Sequence, residues 1–320
     1  LNFILALALP LVASGLFYYL LRPLRNFLES KNIPRIWAIV ILYLSIAVAI
    51  AITIIFVWPY ISGQISEFVE QPEYKIEEVQ RKTISILNIF NFTQMSTTEL
   101  KELLNNYLKI FIEWLSQDII GLLANITRIA SFIIFTPIIL FYLLKDGEEF
   151  SKVTSRLFPK HYRPIVKNIM ADLDETLSDF ISGQFQVAAI DAFLLYIGYS
   201  LIELPYALIF ALFALFFNLI PFVGTFIATI PAFIIGFGVS PLIGLYVLIV
   251  VTIVHAIDAN LISPSVLGRK LQIHPLTIIL ILLAAGSLYG ILGLLLATPL
   301  YALLKTLLID LYEEKEEVGL

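Results

Sequence analysis

The sequence has no cysteine in 320 residues, which excludes disulfides, thiolate metal sites and thiol chemistry. Histidine is scarce too. His161, His255 and His274 are the whole supply, and no HExxH pair occurs, so a zinc site is not expected. No Walker A loop is present, so nothing suggests an ATP-driven step. Charge is thin: only 14% of residues are Asp, Glu, Lys or Arg, and the net charge of −5 supplies no basic field for nucleic acid. No cofactor is expected.

Apolar side chains fill the space. Hydrophobic residues make up 59% of the chain, and the mean hydropathy is +0.92. Soluble domains run at roughly 45–50% apolar and about 25% charged. A soluble chain this apolar would expose surface that water cannot cover, whereas a bilayer can. The fold class expected is therefore all-α: a polytopic integral membrane protein of about 6–8 membrane-embedded helical segments. The chain begins at Leu1 rather than Met, which leaves room for an earlier segment.

Charge and length divide the chain into five regions. Residues 1–58 hold two N-terminal spans, Leu1–Leu21 and Ile36–Trp58, each meeting the ~20 residues a crossing helix needs. Between them Arg22, Arg25, Lys31 and Arg35 face Glu29 alone, which places this short loop on the cytoplasmic side. Residues 59–118 turn polar and acidic, as suits an extracytoplasmic or interfacial helical region. Leu100, Leu103, Leu104, Tyr107 and Leu108 keep helical spacing there, and Ser96 with Glu99 forms a capping box. Residues 119–144 form the next span, with Arg128 near its outer end, where it is expected to snorkel. Residues 145–184 are a cytoplasmic segment carrying Lys145, Lys152, Arg156, Lys160, Arg163 and Lys167, whose second half reads as one polar-faced helix. Residues 185–320 form a nearly continuous apolar core.

Two runs in that core are too long for single crossings. Tyr206–Gly238 would reach about 50 Å and Pro275–Ile309 ~52 Å, against a hydrocarbon core of about 30 Å. The first is interrupted at Asn218–Gly224, with its Pro221, and the second at Gly286–Gly293, with three glycines. Each run is either a re-entrant hairpin or two short full spans. With hairpins, the C-terminal half holds two span-plus-hairpin units of opposite orientation, an inverted repeat whose broken helices converge near the midplane.

The residues at these breaks resemble a known family. Leu212–Pro231 reads LFALFFNLIPFVGTFIATIP, and Asp258–Pro299 reads DANLISPSVLGRKLQIHPLTIILILLAAGSLYGILGLLLATP. FYLLKDGEEF at Phe141–Phe150, SGQ at Ser182–Gln184, the early Pro23 and NIPRIWA at Asn32–Ala38 add to the likeness. The chain resembles the autoinducer-2 exporter family, the PerM-like permeases, over nearly all its length after about residue 15. The resemblance implies a polytopic helical permease of a prokaryotic cytoplasmic (inner) membrane. It implies export of an autoinducer-2-like signal or, as proposed for other members, sodium or lithium/proton antiport.

Candidate pathway residues follow from the breaks. Asn218, Pro221, Gly224 and Thr225 mark the first, where freed backbone groups must face protein or a water-filled cavity. They could bind an ion or polar solute, or mark a kink relieved by neighbouring helices. Gly286, Ser287, Gly290 and Gly293 mark the second, where small residues suit either a ligand or close helix packing. Asp258 and Asn260 end an inward-going span and offer hard oxygens for Na⁺ or a proton carrier, or else an interface marker and a cap. Asp191 lies about two turns into a span, where a charge costs about 2.5–3.5 kcal/mol and calls for a partner or a function. His255 shares a helical face with Asp258 and could relay protons, or be hydrogen-bonded between helices.

The expected function is a secondary, alternating-access permease for a small solute or ion. A channel-like permease is the alternative, told apart by uncoupled flux. An enzyme is not expected, because Ser263 near His255 is the best nucleophile–base pair on offer. The expected partners are membrane lipid, the small-molecule or ion substrate and other copies of the chain in a homo-oligomer.

Overall fold

The computed structural model describes residues 2–63, 126–221, 223–267 and 274–318. The expected extracytoplasmic helices of residues 64–118, the Ser96–Glu99 capping box, the first residues of the 119–144 span, and the side chain of Arg128 lie outside what it describes. Every regular element among the described residues is helical. In chain order these are α1 (Asn2–Ser30), α2 (Arg35–Ile52), α3 (Ile126–Asp146), α4 (Phe150–Arg156), α5 (Arg163–Leu201), α6 (Ala207–Phe217), α7 (Val223–Val239), α8 (Pro241–Ile257), α9 (Ser263–Val266) and α10 (Pro275–Val318). A π-helical segment, Thr53–Val57, extends α2, another, Asp258–Ile262, joins α8 to α9, and a 3₁₀ turn, Gly147–Glu149, joins α3 to α4.

Among the described residues, four helices are long and apolar enough to cross a membrane: Arg35–Gly63, Arg163–Leu201, Pro241–Val266 and Leu292–Asp310. Ala207–Phe217, Gly224–Val239 and Leu276–Gly290 are apolar but shorter. This is the architecture of a multi-pass membrane protein. Large apolar side chains such as Phe56, Phe193, Phe226 and Leu283 stand exposed along these helices, as surfaces that face lipid require.

The chain forms two compact units. One comprises Leu1–Ile50, Ile126–Phe185 and Leu267–Leu320; the other comprises Ala51–Asn125 and Gln186–Val266. The first unit packs α1 against α3 around Tyr18, Leu21, Ile39, Leu42, Leu140 and Leu144. The Ser14 hydroxyl donates across that pair to the Thr136 carbonyl at 3.0 Å. Pro137 cannot continue the hydrogen-bond ladder of α3, and its own carbonyl accepts from Tyr43 of α2 at 2.7 Å. On α5, Asp174 accepts from Arg22 at 2.5 Å and from Tyr19 at 3.1 Å, which ties α5 to α1.

The second unit packs the C-terminal part of α5 with α6, α7 and α8 around Leu195, Tyr199, Phe210, Ala232 and Val247. Glycines set the spacing there. A Cβ on Gly244 would lie 2.9 Å from the Phe237 backbone, so α7 and α8 pack at a distance only glycine allows. Ser240 starts α8 by accepting the Ile243 N–H at 3.1 Å, with Pro241 at the first helical position.

Two boundaries differ from the expectation. The first helix does not stop at Leu21 but runs through Arg22, Pro23 and Arg25 to Ser30, because the charges that end the apolar run do not interrupt backbone hydrogen bonding. The polar-faced helix ending at Gln184 and the span starting at Phe185 are one helix of 39 residues. Gly183 sits inside it, and a helix-interior glycine costs only about 1 kcal/mol, too little to stop a helix held by packing on both sides.

Candidate functional site

Both predicted breaks are real interruptions. At the first, α6 ends at Phe217 and α7 starts at Val223. At ~1.5 Å per residue these helices reach only ~16 Å and ~25 Å, short of a core about 30 Å thick. They pack against each other as a helical hairpin. Gly224 makes the turn possible, since a Cβ there would sit 1.9 Å from the Phe217 carbonyl oxygen. Pro221 lies in the turn, where Ile220 N–H bonds Phe217 O at 2.8 Å and Gly224 N–H bonds Ile220 O at 3.0 Å.

The second break is a sharper reversal. Within α10, Gly290 has φ 60° and ψ −140°, outside the helical region and beside the conformations that glycine alone populates. In a straight helix residues 285 and 293 would lie about 12 Å apart. Here a Cβ on Gly293 would fall 2.0 Å from the Ala285 carbonyl oxygen, and one on Gly286 would fall 2.8 Å from the Leu294 side chain. The arms therefore fold back on each other at this glycine cluster. The Ser287 hydroxyl donates to Ala284 O at 2.8 Å and is exposed.

The two breaks differ chemically. The second presents small residues and backbone, while the first carries a chain of polar side chains, two of them buried and Thr225 half-buried. Thr225 Oγ1 donates to Asn218 Oδ1 at 3.2 Å, and Asn218 Nδ2 donates to Asp191 Oδ2 at 3.4 Å. Asn218 and Asp191 are 5% and 6% exposed. The second carboxylate oxygen of Asp191, Oδ1, is buried and has no hydrogen-bond partner among the described residues. Asp191 projects from the apolar stretch of α5, so the hairpin turn delivers an amide to a carboxylate that its own helix cannot satisfy. Leaving a buried acceptor unmet costs about 1–3 kcal/mol, and more for a charged group.

Asp258 lies in the same unit as Asp191. It opens the π-helical segment, in which Ser263 N–H reaches Asp258 O across five residues. Such a wide turn displaces the usual i→i−4 pairing, and the Asn260 side chain makes up for it by donating to Ala256 O at 2.7 Å. Asp258 Oδ1 accepts from Ser263 Oγ at 2.6 Å. Asn260 is thus engaged with backbone, whereas Asp258 stays half-buried with one oxygen engaged. His255 is exposed; the Asp258 N–H bonds its carbonyl within the helix, but among the described residues no side-chain hydrogen bond links His255 to Asp258 or Ser263. Asp191, Asn218 and Thr225 form one connected group, and Asp258, Asn260 and Ser263 share the π turn. Gly286, Ser287, Gly290 and Gly293 belong to the other unit.

A second polar group was not recognised as such in the sequence. Arg25 of α1, whose side chain is 0% exposed, donates to Leu144 O at 2.5 Å, to Asn26 Oδ1 at 2.6 Å and to Glu148 Oε1. Arg35 at the start of α2 donates to Lys145 O at 2.9 Å, to Glu148 Oε2 at 2.6 Å and to Glu29 at 3.0 Å. Two guanidinium groups thus cap the last carbonyls of α3 and share one carboxylate. Burial alone would raise the Glu148 carboxyl, but the hydrogen bond from Arg35 and the charge and hydrogen bond of Arg25 outweigh it and hold Glu148 below its ordinary value. The basic stretch 22–35, which is the end of α1 with the turn into α2, and the segment after Leu144 are assigned to the same side by their charge, and they meet directly in this cluster. Its signal was the KDGEE run at Lys145–Glu149, legible as family likeness but not as a partner for Arg25.

The chain matches the family model described as AI-2E family transporter over residues 1–313. It is 36% identical over 316 residues to "Putative transport protein YueF" of Bacillus subtilis strain 168, covering 97% of this chain and 85% of that protein. It is 29% identical over 312 residues to "Putative transport protein YrrI" of the same organism, covering 97% and 88%. "Putative permease PerM" of Escherichia coli K12 is 24% identical over 193 residues, covering 58% of this chain and 53% of that protein.

Proposed function

This chain belongs to the AI-2E family of membrane transporters, and we propose that it is a secondary permease whose coupling site is Asp191 with Asn218 and Thr225. In this reading it exports a small polar solute of the autoinducer-2 class across the cytoplasmic membrane of a prokaryote. A proton or small cation bound at Asp191 drives the export. The observation that carries the reading is the buried Asp191 Oδ1, which has no hydrogen-bond partner among the described residues. A carboxylate on an apolar helix costs about 2.5–3.5 kcal/mol even on insertion scales, and among the described residues the single long hydrogen bond from Asn218 recovers only part of it. Binding a proton or cation neutralises it. Asp191, Asn218 Oδ1 and Thr225 Oγ1 offer hard oxygens of the kind a small monovalent cation takes.

Neutralisation supplies the coupling. With the site occupied, the contact between Asp191 of α5 and the hairpin carries no net charge, and the hairpin can rearrange against α5 within apolar surroundings. With it empty, the bare carboxylate resists the same movement. Alternating access follows if solute and cation favour opposite states of the hairpin.

A second reading, cation/proton exchange without an organic solute, is favoured by how few polar side chains gather at Asp191. Proteoliposomes separate the two. Proton movement on adding Na⁺ or Li⁺, and counterflow of labelled autoinducer-2, are measured for the parent protein and Asp191→Asn. The expected result is coupled flux that falls at least about tenfold in the variant, the equivalent of about 1.4 kcal/mol. Cation-dependent proton flux without signal counterflow selects the exchanger. Fast flux that ignores both the gradient and the substitution points instead to a channel and removes Asp191 from the mechanism.

A further inference from the structure

The segment between α4 and α5 stands apart from the chain's overall chemistry. The protein carries a net charge of −5, yet residues 150–171 hold Lys152, Arg156, Lys160, Arg163 and Lys167 and no acidic residue. The same segment bares apolar side chains outside any span. Leu157 is 81% exposed, and Val153, Phe158 and Tyr162 are also exposed. The turn that presents them is held by Arg163, which donates to Phe158 O at 3.1 Å and to Arg156 O at 3.3 Å. Arg156, Lys160 and Lys167 are exposed around it.

In water this arrangement is costly, because apolar side chains stay wet beside uncompensated like charges. Beside a bilayer both features are matched. The segment follows α3, whose apolar run ends at Lys145 and which the sequence reads as a span, after one 3₁₀ turn, so on that reading it begins at the membrane surface. Apolar and aromatic side chains flanked by Lys and Arg are the composition that settles in the headgroup zone, and anionic lipid attracts the basic rim.

We propose that residues 153–167 form an interfacial foot that seats Val153, Leu157, Phe158 and Tyr162 in the headgroup region and binds anionic phospholipid through Arg156, Lys160 and Lys167. The foot anchors the N-terminal end of α5 to the membrane surface.

The absence of native cysteine allows a direct test on the full chain. Leu157→Cys is labelled with the polarity-sensitive fluorophore NBD. The protein is reconstituted in phosphatidylcholine alone or in phosphatidylcholine and phosphatidylglycerol in equal parts, with Lys31→Cys as the aqueous reference. The label at 157 is expected to shift to the blue with phosphatidylglycerol present, to be quenched by shallow nitroxide lipids and to resist iodide. Adding Arg156→Gln, Lys160→Gln and Lys167→Gln is expected to abolish the dependence on phosphatidylglycerol. The charge-keeping set Arg156→Lys, Lys160→Arg and Lys167→Arg is expected to retain it, which separates lost charge from lost structure. Emission and iodide quenching equal to those at position 31 in both lipids would overturn the proposal. Equal insertion in both lipids would overturn the anionic-lipid assignment. Shielding from both quenchers would reveal a protein contact and overturn it as well.

Discussion

Arg25 and Asp191 are both charged side chains withdrawn from solvent, one in each compact unit, and the fold treats them in opposite ways. Arg25 is satisfied on every side, by the Leu144 carbonyl, the Asn26 amide oxygen, Glu148 and, at 3.5 Å, Glu29. Among the described residues, Asp191 has one long bond from Asn218 and an oxygen with none. A charge that joins helix ends must be compensated, because breaking a buried pair leaves an uncompensated ion. A charge that is to take up and release a ligand must be left short of partners in the empty state. Similar burial thus accompanies a fully compensated group in one unit and, in the proposed mechanism, a coupling group in the other.

Arg25→Met should have the largest effect on stability. It strands Glu148 and the Leu144 carbonyl, and should cost about 3–5 kcal/mol. Thermal unfolding in detergent reads this directly, and an unchanged melting point would show that the cluster does not hold α1 to α3. Asp191→Asn should do the reverse. It removes a charge that the fold does not compensate, so the protein should melt no lower while coupled flux collapses. A matching fall in stability would make Asp191 a structural group like Arg25 and erase the contrast.

Gly290→Ala comes next. No neighbouring atom obstructs a Cβ there, so its cost is purely that of the backbone conformation, about 1–3 kcal/mol. An unchanged melting point would mean that the reversal in α10 tolerates an L residue, and that the bend does not depend on Gly290. The smallest effect is the pH dependence from Glu148. Its folded carboxyl titrates below the ordinary value, so its contribution is present above the unfolded carboxylate value of about 4.3. That contribution should fade as pH falls through the lower folded value. Glu148→Gln should flatten this acid limb. An identical acid limb in parent and variant would show that Glu148 does not carry it.

Much of the architecture was legible before any coordinates. The membrane class followed from composition. The breaks at Asn218–Gly224 and Gly286–Gly293 followed from runs too long for one crossing, together with Pro221 and the glycines at 286, 290 and 293. The union of the 164–184 helix with the span after it was not legible. Charge falls away abruptly there, but backbone hydrogen bonding is indifferent to that change and Gly183 is a weak stop. Asp191 could be singled out because an acid in an apolar run is anomalous wherever it points. Its link to Asn218, 27 positions away, could not. Pairing across a hairpin depends on how α6 turns back toward α5, and no local pattern encodes that.

Arg25 marks the limit most clearly. In the sequence it is one of four basic residues in a loop, enough to assign a side of the membrane because sidedness depends on summed charge near the spans. Its complete burial required α1, α2 and the end of α3 to meet at one carboxylate. The sequence by itself determined which segments are apolar, where they must break and which residues are anomalous, since these are properties of transfer energy and chain length. Only the tertiary structure decided which anomalies find partners, because compensating a buried charge depends on what other helices bring within about 3 Å of it.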